Sequence, residues 1–407
     1  IMLKSTPVYS RVAALCKSRK WQSWEGYIMA DTYNFSVTPE YLAIRNTAAL
    51  FDFFPLYVYL ISGADAALLI DRLITRNINK CKIGQVMYTA LCDAEGKLLD
   101  DGTVYRFDET TFQLTTNTPT LDWVQANAIG LQVEIQDKTL TTNTLPLQGP
   151  KSRAILNQVA ATDLDGLKYF NFVETKIREI PVVISRTGYT GDLGYEVWSD
   201  AKDAIALWDI LMEVGAADGI QPAGFYALDL ARIEAGLIWY EYDYVPSRQA
   251  QTDAEKVSPL EVSLAWTVDF SKASFIGREA LLKEKEQGVQ RQLVGLELDR
   301  NFLHQTYGEQ SLFLQDLRTP WRTKFPVRVG EQTIGQVTSG CWSPAGENYI
   351  AIACVSTNYA QATTPIVPKM TVEIHGQSIP ASIKSLPFYD PEHKRSNLSS
   401  VPTLALA

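Results

Sequence analysis

The sequence predicts an α+β protein in which two lobes of antiparallel strands and helices precede a β-rich C-terminal region. Three observations support this fold class. Residues 56–116 read as a strand, a helix and three further strands, and residues 145–235 mix helix-like and strand-like patterns again. Beyond about residue 290, short β-prone runs alternate with turn residues, which favours a small barrel or sandwich.

The predicted elements follow in chain order from local patterns. A short helix is expected at 39–46, after aromatic-rich turns, and the alternating run LYVYLI at 56–61 predicts a strand. Apolar residues at helical spacing predict a helix over 65–75. The remaining predicted elements are strands at 85–92, 98–107, 111–116, 182–185 and 195–198, a strand, turn and helix within 145–156, helices at 201–214 and 226–235, an exposed loop at 246–256, and the C-terminal strands QLVGLEL, FPVRV, TIGQVTSG, IAIACV and MTVEIHG.

The composition limits the classes of function. The 407 residues include 37 Lys+Arg and 46 Asp+Glu, and the formal charge of −9 argues against a protein that coats nucleic acid. The first of the three His is His304, which excludes a His-rich metal site or a His general base in the preceding chain. Catalysis would therefore rest on carboxylate, Tyr, Arg and Trp side chains and on the backbone.

The cysteines and the apolar segments indicate the compartment. The five Cys are widely spaced without a CxxC pair, which is typical of reduced thiols in a cytoplasmic protein rather than of disulfides or a zinc site. We see neither a basic-then-apolar leader nor an apolar run long enough to span a membrane. A soluble, cytoplasmic protein is expected.

Two adjacent acids, Asp100 and Asp101, end a run that otherwise reads as a buried strand. Neighbouring residues of a strand point to opposite faces, so at most one of them would face a given cleft. Burial there would raise its pKa and suit it to act as a base or as the partner of a cationic centre. The alternative is a hairpin corner in which both acids are solvated.

Two further clusters are compatible with binding or with ordinary structure. SRTGYTGDLGYE at 185–196 has three Gly that allow the backbone to approach a flat ligand closely, although a tight hairpin explains them equally well. Asp229 and Arg232 are three residues apart on a predicted helix. They form either a surface ion pair or a site where Arg232 binds a planar carboxylate or an amide carbonyl.

Short motifs along nearly the whole chain occur in a characteristic order. They are TPVYSR at 6–11, YLAIRNTAALFD at 41–52, GQVMYTALCDAEGKLLDDGTVYRF at 84–107, LQGPKS at 147–152, SRTGYTGDLGYEV from 185, ARIEAGL at 231–237, SPLEVSLAWTV at 258–268, FIGREAL at 275–281, VTSGCWSP at 337–344 and PFY at 387–389. In these motifs the chain resembles the folate-dependent aminomethyltransferase family, which comprises the T-protein of the glycine cleavage system and its relatives.

The resemblance implies a three-domain cloverleaf around a central channel that holds tetrahydrofolate, the expected cofactor. Residues 1–53 and 145–285 would form the central α+β folate-binding domain. Residues 54–144 would form a second α+β domain of ferredoxin-like type, and residues 286–407 a C-terminal domain resembling a β-barrel or jelly roll.

The resemblance also assigns roles to individual residues. Asp101 matches the family's catalytic carboxylate, which would assist a cationic donor and orient the folate nitrogen that acts as nucleophile. Glu196 matches the acid that pairs with the pterin, and a carboxylate can accept a bidentate pair from an amino group and a ring N–H. Arg232 matches a ligand-binding arginine. The other expected folate-binding residues are Tyr88, Thr103, Tyr105, Tyr189 and Trp266, and no metal is expected.

The one-carbon donor stays open because the family's usual FDVSHM reads FDFFPL at 51–56, and the N-terminal stretch also departs from the family. The donor would be an aminomethyl group on a lipoyl-carrier protein, or a small methylated amine, sulfonium or methoxy compound that is demethylated. A non-catalytic folate-binding regulatory protein is a further alternative, against which the retained Asp101 argues. No nucleic-acid or membrane partner is expected, and the oligomeric state is left open. An aromatic cluster would form either a cation–π box for the donor or core packing, and consists of Trp21, Trp24, Tyr27, Tyr33, Phe53, Phe54 and Tyr57.

Overall fold

The structure, a computed structural model, describes residues 3–360 and 369–395 of the chain. The strands of this part of the chain form a hairpin, two open sheets and a closed barrel. They are β1 (Lys20–Trp24), β2 (Tyr27–Thr32), β3 (Ala48–Leu50), β4 (Tyr57–Ser62), β5 (Val86–Cys92), β6 (Leu98–Arg106), β7 (Thr111–Thr116), β8 (Glu134–Asp137), β9 (Thr142–Gln148), β10 (Phe172–Ile177), β11 (Ile180–Ser185), β12 (Gly194–Asp200), β13 (Ile220–Pro222), β14 (Arg291–Leu298), β15 (Phe325–Val329), β16 (Gln332–Ser343), β17 (Asn348–Ser356), β18 (Met370–Ile374) and β19 (Gln377–Lys384).

The helices cover the sheets and one side of the barrel. They are α1 (Tyr9–Leu15), α2 (Thr38–Asn46), α3 (Ala66–Leu73), α4 (Leu121–Asn127), α5 (Ser152–Asn157), α6 (Ala204–Val214), α7 (Phe225–Glu234), α8 (Arg278–Gln287), α9 (Arg300–Tyr307), α10 (Leu312–Arg318) and α11 (Thr357–Ala360).

The larger open sheet has six strands in the order β10-β11-β12-β9-β3-β13. Its strands pair antiparallel, except that β13 runs parallel to β3. Tyr195 and Val197 of β12 pack in the same core as Leu207 and Trp208 of α6, so α6 covers one face. Glu196 lies between these two apolar residues, and the alternation of a strand turns its side chain to the opposite face.

The second open sheet is antiparallel, in the order β5-β6-β7-β4-β8. Its second strand, β6, carries Asp100 and Asp101 and is paired on both edges, with Tyr88 of β5 opposite Thr103. Gly102 fits here because a Cβ at this position would lie 1.9 Å from the carbonyl oxygen of Thr115. The close approach of β6 to β7 at Gly102 therefore fixes the backbone position of β6 next to Asp101.

The C-terminal strands form a closed barrel in the order β14-β17-β16-β15-β18-β19. Its core is filled by alternating strand residues such as Val327, Val337 and Val372, all fully or almost fully buried. After the barrel, residues 385–395 return to the end of α7, where the amide N–H of Tyr389 donates to the Glu234 carbonyl oxygen at 2.8 Å.

Most predicted elements are confirmed, and 111–116 coincides with β7. The elements without a prediction are the helices α1, α4, α8, α9, α10 and α11 and the strands β1, β2, β3, β8, β10, β13 and β19. The α+β class and the barrel are confirmed. The proposed domain boundaries stay a prediction, and residues 1–2, 361–368 and 396–407 of these domains lie outside the described residues.

The helices of the described ranges do not include one with the length and apolar character that crossing a bilayer requires. All five cysteines are free thiols, as predicted. Cytoplasmic location stays a prediction.

Candidate active site

Two adjoining cavities lie between the open sheets. The inner cavity, of about 140 Å³, is bordered by β5, β6, β7 and β12 and by the segment around Trp239. The outer cavity, of about 520 Å³, continues from it toward solvent, past Trp266 and residues 387–395. The two cavities share a set of lining residues and therefore form one continuous site. The shared residues are Tyr88, Phe170, Thr187, Gly188, Tyr189 and Ile238.

Asp101 lines the inner cavity, and hydrogen bonds hold both of its carboxylate oxygens. Tyr88 donates to Oδ2 at 2.8 Å, while the Tyr244 hydroxyl and the Asn117 amide, the latter at 3.2 Å, donate to Oδ1. Burial raises the pKa of Asp101, and the hydrogen bonds from Tyr244 and Tyr88 oppose that rise. The result is a carboxylate of fixed orientation that faces the cavity and can hold a negative charge or accept a proton.

Asp100 points to the other face of β6, as the strand alternation predicts. Its Oδ2 accepts hydrogen bonds from the backbone N–H and the hydroxyl of Thr118, at 2.8 and 2.6 Å, and its Oδ1 accepts one from Asn117 at 3.0 Å. Burial and the adjacent Asp101 raise the pKa of Asp100. Both acids are buried, so the alternative of a solvated hairpin corner is wrong.

Glu196 is the second acid of the inner cavity. Thr187 and Tyr105 both donate to its Oε2, at 2.7 and 3.2 Å. No side chain or backbone group of the described residues donates to its Oε1, which leaves that atom available to a ligand. Burial raises the pKa of Glu196, and the hydrogen bonds from Thr187 and Tyr105 lower it in part. Tyr105 is fully buried and lies behind this carboxylate, so it supports the site without lining a cavity.

The Gly-rich segment is both a hairpin and a wall of the site. It joins β11 to β12, which pair antiparallel with Ser185 opposite Glu196. Thr187, Gly188 and Tyr189 line both cavities. Gly191 has φ +72°, and a Cβ there would lie 2.4 Å from the Cβ of Ala235, so this tight approach to the end of α7 requires glycine.

Aromatic rings extend the site outward. Trp266 lines the outer cavity and is 62% exposed. Its ring stacks on Tyr88 with centroids 5.9 Å apart and planes 26° apart, and the Arg76 guanidinium lies 5.4 Å from its centroid. Thr103 lines the inner cavity and Tyr189 lines both. The structure thus brings Asp101, Tyr88, Thr103, Tyr189, Glu196 and Trp266 together around one site.

Arg232 is not part of this group. It is fully buried, its Nε donates to Asp229 at 2.7 Å, and its Nη1 donates to Asp243 and, at 3.1 Å, to the Leu237 carbonyl oxygen. Arg322 also donates to Asp229, at 2.7 Å. The interpretation as a surface ion pair is therefore wrong. Arg232 does bind carboxylates and an amide carbonyl, but they belong to its own chain, and neither cavity is lined by it.

The N-terminal aromatic cluster divides between site and core. Trp24 and Phe53 line the inner cavity, with ring centroids 5.3 Å apart. Tyr27 and Phe54 pack edge to face in the core, 5.0 Å apart, and the Tyr57 hydroxyl donates to Glu25 at 2.8 Å. Tyr33 is buried and Trp21 packs beside it in a separate core. Of the seven rings predicted to form either a cation–π box or core packing, only Trp24 and Phe53 line the inner cavity.

Sequence reasoning missed several residues of the site. Asn117 and Tyr244 hold Asp101, and Trp239 and Tyr240 close the inner cavity. His393 lies with Nε2 2.6 Å from Asp192 Oδ1 beside the outer cavity. Asn117 directly follows a confirmed strand, which is a usable signal, whereas the other contacts join distant parts of the chain.

Metal binding has no support within residues 3–360 and 369–395, where no group of three His, Cys, Asp or Glu side chains could hold an ion.

A buried acid, a half-buried acid and aromatic walls lie between two α+β sheets that a barrel follows. Together they define an enzyme with a site for a flat, largely apolar ligand. The family comparisons agree with this class. Residues 10–272 match the GCVT N-terminal domain, and residues 291–390 match the glycine cleavage T-protein C-terminal barrel domain. The chain belongs to the glycine cleavage T-protein family, so the predictions of family, fold and aminomethyltransferase-type enzyme are confirmed.

Individual relatives resemble the chain over nearly its full length. Proteins named aminomethyltransferase from Thermoanaerobacter pseudethanolicus and Halothermothrix orenii are 34% and 33% identical to it, over 88% and 95% of this chain and 91% and 100% of their own. The crystal structure of glycine cleavage system aminomethyltransferase T from Bartonella henselae has a TM-score of 0.80 at 26% identity, covering 95% of this chain and 98% of that one.

Proposed function

We propose that the two cavities bind tetrahydrofolate and that the inner cavity is where a one-carbon unit is transferred to it. The observation that carries this proposal is the placement of two acids, the buried Asp101 and the half-buried Glu196, on one cavity. Aromatic rings continue from that cavity to the surface. A folded chain keeps a buried carboxylate such as Asp101 facing a cavity at a cost in stability, and such groups are characteristic of functional sites.

The residues fit a reduced folate in shape and in chemistry. The Oε1 atom of Glu196 can accept a hydrogen bond from the donor edge of a pterin, and the rings of Tyr88, Tyr189 and Trp266 suit flat aromatic groups. Arg76, Lys394 and Arg395 line the outer cavity and can attract an acidic tail. Asp390 already neutralises part of this charge, at 3.1 Å from Lys394 and 3.0 Å from Arg395.

Asp101 would be the catalytic residue. Tetrahydrofolate, when bound, would supply the nitrogen nucleophile that accepts the one-carbon unit. The Asp101 carboxylate presents fixed negative charge to the inner cavity, where it would stabilise positive charge on the donor. The low polarity of the surrounding rings strengthens that interaction, because little water remains to screen it.

For the donor we propose an aminomethyl group delivered by a lipoyl-carrier protein. The support for this assignment is the family, whose relatives bear the name of that activity. A second candidate is a small methylated cation, which the aromatic wall of the inner cavity favours. Trp24 packs against Phe53 at 5.3 Å and Trp239 at 5.4 Å between ring centroids, and such rings attract cationic methyl groups.

Two isosteric variants separate binding from catalysis. In calorimetry with tetrahydrofolate, Glu196→Gln should weaken binding by about 1.5–3 kcal/mol, or one to two decades in Kd, because a charge-assisted hydrogen bond is lost. Asp101→Asn should retain binding but lose at least two decades in turnover with aminomethyl-loaded lipoyl-carrier protein. Absence of tetrahydrofolate binding by the wild-type protein, or undiminished turnover by Asp101→Asn, would contradict the proposal.

The donor is decided by the product. Lipoyl-carrier protein bearing an aminomethyl group and a panel of methylated amines, sulfonium salts and methoxy compounds are each incubated with the enzyme and tetrahydrofolate. Mass spectrometry that detects methylene-tetrahydrofolate supports aminomethyl transfer, and methyl-tetrahydrofolate supports demethylation.

A further inference from the structure

We propose that Tyr244 is a positioning residue that fixes the Asp101 carboxylate and keeps it ionised without contacting substrate or folate. The role of Asp101 on which this rests belongs to the proposed function. Tyr244 is 2% exposed and lines neither cavity. Its hydroxyl donates to Asp101 and, at 3.5 Å, to Oδ1 of Asp100, so the effect of this hydroxyl on the reaction would pass through these acids.

The geometry at Asp101 is a clamp of two phenols. The Tyr244 hydroxyl donates to Oδ1, and the Tyr88 hydroxyl donates to Oδ2 at 2.8 Å. With each oxygen held from a different segment, the carboxylate plane cannot rotate without breaking a hydrogen bond. Tyr88 also lines both cavities and would contact a ligand, whereas Tyr244 is the member of the clamp that would not.

Tyr244 is itself fixed relative to the strand that carries Asp101. On its N-terminal side, Asp243 accepts hydrogen bonds from Arg232 and from Ser339 of the barrel, the latter at 3.0 Å. On its C-terminal side, the Ser247 N–H donates to the Leu98 carbonyl oxygen at 2.8 Å. Further along the loop that follows Tyr244, the Val257 carbonyl oxygen accepts a hydrogen bond from the Leu98 N–H at 2.7 Å. The loop therefore lies along β6 at a set distance.

The charge environment explains why neutral donors are needed. Within residues 3–360 and 369–395, no ion pair joins Asp101 to a Lys, Arg or His, and its hydrogen-bond donors are Tyr88, Tyr244 and Asn117. The titratable groups that face it are these two tyrosines, Asp100 and Tyr189. Burial and the adjacent Asp101 raise the pKa of Asp100, so the two acids disfavour being charged at the same time. Burial and the neighbouring acid raise the pKa of Tyr88 and of Tyr244, so both remain protonated donors.

Removing the Tyr244 hydroxyl should therefore raise the pKa of Asp101, because a hydrogen bond to the charged form stabilises that form. The test is an NMR titration of the full chain labelled with ¹³C at the Asp carboxyl carbons, with the Asp101 signal assigned from Asp101→Asn. In Tyr244→Phe the Asp101 titration should move upward by about one pH unit or more. Tyr349→Phe is the control, since Tyr349 is a buried tyrosine of the barrel whose hydroxyl has no hydrogen-bond partner among the described residues, and it should leave the titration unchanged.

A second variant allows the proposal to be tested even if Tyr244→Phe fails to fold. With 3-fluorotyrosine at position 244 the hydroxyl is a stronger donor, so the Asp101 titration should move downward. An Asp101 titration that moves in neither variant overturns the proposal. Calorimetry with tetrahydrofolate on the same samples keeps the two hypotheses apart, because a wild-type protein that binds no folate refutes the proposed function and leaves the titration result standing.

Discussion

Replacing Arg232 by Met should destabilise the protein and leave its affinity for folate nearly unchanged. The guanidinium pairs with Asp229 and Asp243, whose side chains are at most 1% exposed. Met has a comparable length but no charge and no hydrogen-bond donor. The substitution therefore removes one partner from each of two buried carboxylates without opening a large cavity.

The magnitude follows from what remains around the two acids. Removing one partner of a buried ion pair costs about 3–5 kcal/mol of folding free energy. Asp229 retains Arg322 at 2.7 Å, and Asp243 retains Ser339 at 3.0 Å. These partners reduce the penalty, so we expect the lower end of the range, about 3 kcal/mol.

The assay is urea denaturation followed by tryptophan fluorescence, paired with calorimetry of tetrahydrofolate binding. Arg248→Met is the matched control, because Arg248 pairs with Asp122 at the surface with side chains 40% and 74% exposed. That variant should lose at most about 1 kcal/mol. If Arg232→Met unfolds like this control but binds folate at least tenfold more weakly, the reasoning is refuted and Arg232 contacts the ligand.

Three further outcomes are expected. Trp266→Ala should weaken tetrahydrofolate binding by about 1 kcal/mol in calorimetry with an unchanged unfolding free energy, because the ring is largely exposed; an unaltered Kd would contradict its role. Tyr105→Phe removes a hydrogen-bond donor to ionised Glu196, which raises the pKa of that acid. As the pH is lowered, Glu196 should therefore become protonated, and folate affinity should fall, at a higher pH than in the wild type. Coincident profiles of affinity against pH would contradict this. Burial raises the pKa of Asp52 from 3.8 to about 7, so its contribution to stability is present below pH 4 and is lost as the pH rises to about 7. In Asp52→Asn the fall in unfolding free energy between about pH 5 and pH 7 should shrink by about 2–3 kcal/mol, as measured by urea denaturation at both values, and an equally steep fall would refute the assignment.

Local patterns were sufficient to predict most of the regular structure. The strand at 111–116 and the helix at 65–75 depend on alternation and helical spacing, which a short window of sequence contains. The β1–β2 hairpin was not predicted from the sequence because its turn is unusual. Glu25 adopts φ +46° next to Gly26 at φ +79°, a left-handed pair in which a glutamate is not an expected first residue.

The site could be predicted only in part, for a physical reason. Strand alternation separated the faces of Asp100 and Asp101, but no local pattern shows that both are buried. The contact of Tyr244 with Asp101 spans 143 residues of chain. Arg232 shows the same limit, since helical spacing indicated its pairing with Asp229, whereas the decisive partner, Asp243, lies in the following loop.

Residues 387–395, which follow the barrel, form part of the wall of the outer cavity. Within this segment Tyr389 places its ring 4.4 Å from the Arg45 guanidinium, and His393 meets Asp192 of the Gly-rich loop. During synthesis, roughly the first 380 residues could leave the ribosome and form their sheets before this wall exists. A nascent chain would therefore acquire its complete ligand site only after the barrel strands that lead into the segment have been made.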